Sequence, residues 1–96
     1  MNQYLITAID FTDHDSLQRR LDARPYHFNM MQKLKLSNNF LFGGAILNAG
    51  GTMIGSSLVV QFEEELELNA WLAEEPYLLS KVWEKVDIKP FMMANV

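Results

Sequence analysis

The sequence has no cysteine at all. That excludes disulfides, thiolate metal sites and cysteine nucleophiles, and it fits a reducing compartment. Histidine is almost as scarce, with only His14 and His27. The pair has none of the close ligand spacing of a usual metal site, and no metal is expected. No heme or nucleotide motif occurs, so no cofactor is expected. Basic residues are few: 8 Lys and Arg stand against 12 Asp and Glu, a net charge of −4. A chain so charged lacks the basic surface that phosphate binding requires, and nucleic acid is not an expected partner. No apolar run approaches the roughly 18 to 20 residues that span a bilayer. The N-terminal Met1-Asn2-Gln3-Tyr4 lacks a secretion signal. A soluble cytoplasmic protein without membrane contact is the expectation.

What is present is an ordinary globular composition, 49% hydrophobic and 21% charged. With no repeat, linker or low-complexity segment, 96 residues make one domain over 1–96. A core this small gains from self-association.

Residues 3 to 11 are short and rich in β-formers, which predicts a buried strand. Thr12 to Asp15 supply caps for a helix over about 14–37. Pro25 interrupts that helix. A mid-helix proline removes a backbone hydrogen bond and clashes with the preceding turn, costing about 3 kcal/mol. The helix is therefore expected to break at Pro25 or to restart there with proline in its first turn. A second strand follows at 40–47, then the turn formers Asn48-Ala49-Gly50-Gly51, then a third strand over Met53–Phe62. Ile54, Ser56, Leu58, Val60 and Phe62 share one face of it, the expected core face. Glu63-Glu64-Glu65 opens a second helix with Leu66, Ala70, Trp71 and Ala73 inward, and Pro76 stops it. Val82 to Phe91 is the last strand. The order β-α-β-β-α-β is that of a ferredoxin-like plait, an α+β fold with a four-stranded antiparallel sheet and two helices on one face.

Three positions suggest chemistry. His27 shares a helical face with Met31 and Met30/Leu34. It is either a structural histidine bonded to backbone or a general acid–base. Arg20 and Arg24, one turn apart and in line with it, form either a solvated face or a cradle for an anion. Ser56 places a hydroxyl among core residues, where it needs a partner or loses roughly 1 to 3 kcal/mol. It bonds to backbone or lines a polar pocket. Glu75 precedes a proline and so leaves helical geometry at the Glu75-Pro76-Tyr77 corner. It is either an exposed helix-end acid or a carboxylate that orients an imidazole.

The ordered set Arg24-Pro25-Tyr26-His27, Phe42-Gly43-Gly44-Ala45, Gly55-Ser56-Ser57-Leu58, Ala70 to Tyr77, Val82-Trp83-Glu84 and Ile88-Lys89-Pro90-Phe91 resembles the YciI-like (YCII-related) family over nearly the whole chain. The resemblance implies a dimeric α/β-barrel, hence a homodimer. It implies an active site of the R-P-x-H histidine, the aspartate of a D-P-[YF] motif and a strand serine. Those positions fall on His27, Glu75 and Ser56. Glu75 replaces the aspartate with a side chain one methylene longer, and Asn48 stands where members often carry an acid. One branch of the family dehydrochlorinates a chlorinated hydroxyquinol without metal or organic cofactor. The implied activity is a small lyase or isomerase in which His27 moves a proton and Glu75 orients it. Ser56, Arg20, Arg24 and Tyr77 would hold a small polar or aromatic molecule. The competing reading is a non-catalytic dimer that binds a small metabolite or serves as an interaction domain.

Overall fold

β1 (Asn2–Asp10) alternates strictly, with Tyr4, Ile6, Ala8 and Asp10 on one face and Gln3, Leu5, Thr7 and Ile9 on the other. In the computed structural model, which describes residues 1–96, it is an inner strand. It pairs antiparallel with β3 (Met53–Phe62) on one side and β4 (Trp83–Phe91) on the other. β2 (Phe40–Leu47) pairs antiparallel with the far edge of β3, giving the order β2-β3-β1-β4. The β2–β3 connection turns on Asn48, whose side-chain oxygen accepts from the Gly50 and Thr52 N–H groups, each at 3.0 Å. Gly51 supplies the left-handed residue there, at φ 85°.

The sheet's even-numbered face carries the core. Ile6, Ala8, Leu58, Val60 and Phe62 meet Ala23 and Met31 from α1 (Ser16–Leu36), Leu68 and Trp71 from α2 (Glu65–Leu72), and Tyr77 from α3 (Pro76–Leu79). The helices thus lie on one face, and the expected ferredoxin-like order is realised with one extra short helix. No helix is long and apolar enough to cross a membrane.

Three local expectations are corrected. α1 does not break: it runs 21 residues through Pro25. Pro25 and Leu21, whose carbonyl loses its donor, both lie on the exposed side, so no buried acceptor is stranded. The buried stripe Arg20, Ala23, His27 and Met31 spans both sides of the proline, and its packing holds one axis. Pro76 does not merely stop α2: it occupies the first turn of α3, where its missing N–H is harmless. The inward residues of α2 are Leu68 and Trp71, with Leu66 74% exposed and Ala70 and Ala73 outward. The helix begins at Glu65 and turns Trp71 onto Phe62, ring centroids 6.3 Å apart.

Candidate functional site

α1 places Arg20 and His27 on its buried stripe two turns apart, and Arg24 and Phe28 on the adjoining exposed side. His27 faces the α2–α3 corner. There Glu75 is the N-cap of α3, and its Oε1 accepts from the Tyr77 backbone N–H at 3.2 Å. The same oxygen is hydrogen-bonded to Nδ1 of His27. Oε2 accepts from the Trp71 indole N–H at 3.1 Å. Glu75 is fully buried, so it is not an exposed helix-end acid. Because a carboxylate accepts, Nδ1 carries the proton of the neutral ring and Nε2 keeps the lone pair. No hydrogen bond within the chain uses Nε2.

Tyr77 stacks on His27 at 3.9 Å and 12°. Trp83 meets both rings edge-on, at 5.9 Å and 5.6 Å. The Arg20 guanidinium lies over the Tyr77 ring, 4.7 Å from its centroid. The imidazole is thus held by aromatic contacts as well as by Glu75. Burial pushes the Tyr77 hydroxyl above the ordinary phenol pKa, while Arg20 and Arg24 pull it back.

A second buried group stands beside the first. Arg20 Nη2 donates to the Gly55 carbonyl and to Ser56 Oγ, both at 2.7 Å. Nη1 reaches both Asp10 oxygens at 3.4 Å, and Nε has no partner. Burial pushes the Asp10 carboxyl up and the Arg20 charge opposes it. Ser56 also accepts from the Trp83 indole N–H at 3.1 Å, so its partners are side chains rather than backbone.

His27, Ser56, Tyr77, Arg20 and Arg24 all line one cavity of about 320 Å³ between α1 and the β2–β3 edge. Glu75 does not reach it and stands behind the imidazole. The cavity therefore brings together five of the six expected site residues, with the sixth in contact with His27. Arg24 sits at the rim with its guanidinium over Phe28, 4.8 Å from the ring centroid.

Four participants escaped the sequence reading. Asp10 continues the core-facing series Tyr4, Ile6, Ala8, and an acid at that spacing is a readable signal. Trp71 and Trp83 read as apolar packing, yet a buried indole N–H requires an acceptor. Lys35 also lines the cavity, two turns beyond Phe28 on the same helix. No three His, Asp or Glu side chains gather as a metal-ligand set.

Fold and site together define a ferredoxin-like α+β protein in which a helix-borne histidine, backed by a buried carboxylate, faces a small cavity. The chain belongs to the YCII-related domain family, whose model matches residues 3–92. It is 34% identical over 94 residues to Protein YciI of Escherichia coli O6:H1, spanning 92% of this chain and 94% of the relative. An uncharacterized protein of Haemophilus influenzae is 33% identical over 96 residues, with the same shares covered. Among solved structures, the chain superposes on 5-chloro-2-hydroxyhydroquinone dehydrochlorinase (TftG) from Burkholderia phenoliruptrix AC1100, in complex with 2,5-dihydroxybenzoquinone. The TM-score is 0.83 at 24% identity, covering 96% and 95% of the two chains. A dimeric ferredoxin-like protein from an uncultured marine organism matches at TM-score 0.60 and 15% identity, covering 98% and 99%.

Proposed function

We propose that this protein is a small enzyme of the lyase or isomerase type that moves a proton through Nε2 of His27. The observation that carries the reading is the bond from His27 Nδ1 to the buried Glu75. It leaves a lone pair on Nε2, in a residue that lines a cavity large enough for one ring compound. Nε2 takes a proton from carbon or oxygen of the substrate. The released electron pair forms a double bond. In a lyase a leaving group departs with its own pair and Nε2 gives the proton up to solvent. In an isomerase the double bond shifts and its far atom takes the proton back from Nε2. Glu75 stabilises the imidazolium that forms, as a buried carboxylate behind a histidine does. A positioned base contributes about 10²- to 10⁴-fold, enough for an activated aromatic or lactone. The dehydrochlorinase with the same fold and a bound quinone supports a small aromatic substrate.

Ser56 serves this scheme by holding the substrate. Its Oγ accepts from two donors and has no base on its proton, which does not suit a nucleophile. The acting unit in this reading is a homodimer joined across the open sheet face.

Turnover on a panel of hydroxyquinols and lactones tests the reading. His27→Gln is expected to lose about 10²-fold or more, and Glu75→Gln to fall between it and the parent. If both variants keep the parent's rate, the dyad assignment fails; if nothing is turned over, the cavity is a binding site alone.

A further inference from the structure

The charged side chains on the cavity wall are all basic. No aspartate or glutamate lines it, although acids outnumber bases 12 to 8 in the chain. Arg24 and Lys35 line it, and neither is in an ion pair. Arg20 is different, because Asp10 faces its guanidinium.

The hydroxyls point to the same preference. Ser56 Oγ accepts from Arg20 and from Trp83, which occupies both of its lone pairs. Its one remaining capacity is to donate. The Tyr77 hydroxyl has no partner within the chain, and its burial keeps it protonated. The unclaimed lone pairs on the wall belong to His27 Nε2, the Tyr77 hydroxyl and the Gln32 amide, and none of these groups is negatively charged. Phe28, Met31 and Leu58 supply apolar wall for a carbon skeleton.

We propose that the cavity takes a small ring-bearing organic anion, a carboxylate or enolate. Its oxygens accept from Ser56 and Tyr77, its charge is held by Arg24 and Lys35, and its labile proton is presented to His27. Only the last of these roles rests on the proton-transfer reading. The anion selectivity comes from the other four residues. A neutral ligand of the same shape would leave two cations without a counter-charge in a site that offers no carboxylate to replace it.

Calorimetric titration of the full chain tests this with two matched pairs, salicylate and benzoylformate, each against its primary amide. Both acids are anions at neutral pH and both amides are neutral isosteres. Each acid is expected to bind about tenfold or more tighter than its amide, with affinity falling as salt is raised. The double variant Arg24→Gln/Lys35→Gln is expected to erase that preference. Both residues are exposed at the rim, so the variant keeps the fold, which circular dichroism verifies. Ser56→Ala is expected to weaken the acids as well. Equal binding of acid and amide, no saturable binding of any of the four, or a preference untouched in the double variant would overturn the proposal. The same titrations in His27→Gln separate it from the catalytic reading. A preference kept there beside absent turnover leaves the anion site standing without the proton transfer. His27-dependent turnover of neutral compounds without the preference removes the anion site alone.

Discussion

Glu75 holds three hydrogen bonds on two oxygens, from the imidazole, an indole and a backbone N–H. Its length suits both roles, since the carboxylate caps α3 and still reaches Nδ1 of His27. The extra methylene relative to the motif's aspartate changes the approach without losing the contact. Gly55 is the other position where one atom decides the outcome. A Cβ there would lie 2.4 Å from the Ala8 carbonyl oxygen, in the backbone of β1. Gly55→Ala is therefore expected to destabilise the fold by about 1 to 3 kcal/mol. It would also shift the carbonyl that holds Arg20. A lower urea midpoint at unchanged slope is the readout, and an unmoved midpoint contradicts the clash. At this scale the sequence disclosed much of the site. His27 and Ser56 stood out because a titratable or polar group interrupted an apolar pattern, and Glu75 because a proline follows it. Asp10 obeyed the same rule and went unread. The two indoles were opaque, since a tryptophan's polar atom is invisible in an apolar pattern.

At the scale of elements, strands were the most legible, through the short β-former run of β1, the alternation along β3 and the Asn48–Gly51 turn. α1 was legible in extent but not in continuity. Proline's local penalty predicts a break, and only the packing of Arg20, Ala23, His27 and Met31 against the sheet shows why it does not occur. α3 could not be read at all. Four residues hold no helical period, and its existence depends on Glu75 capping a turn that Pro76 begins. The rotation of α2 was set by contact between Trp71 and Phe62, a partner on β3 that no helical pattern includes. A bulge has a similar role on β4. Ile9 lies opposite Lys85 and Asp10 opposite Trp83, so the register skips Glu84 and both Asp10 and Trp83 reach the core face.

Over the whole molecule, helices cover one face of the sheet and leave the other uncovered by this chain. Leu5, Ile9, Phe42 and Phe91 lie on that open side, with Ile9, Phe42 and Phe91 substantially exposed. The proposed homodimer buries this face, so sedimentation equilibrium is expected to give twice the 11.1 kDa chain mass. Phe42→Asp is expected to give the single-chain mass, and a parent protein that sediments as a monomer contradicts the assembly. The site itself is also a product of the whole fold, since α1 brings the imidazole and the α2–α3 corner brings the carboxylate. The proposed chemistry depends on which nitrogen that meeting leaves free. Long-range ¹H–¹⁵N correlation of the labelled imidazole rings reads this directly, with the exposed His14 as internal reference. The neutral ring of His27 is predicted to carry its proton on Nδ1, leaving Nε2 bare, and Glu75→Leu, which offers no acceptor, is predicted to abolish that bias. A proton on Nε2, or a tautomer indifferent to Glu75→Leu, would contradict the account.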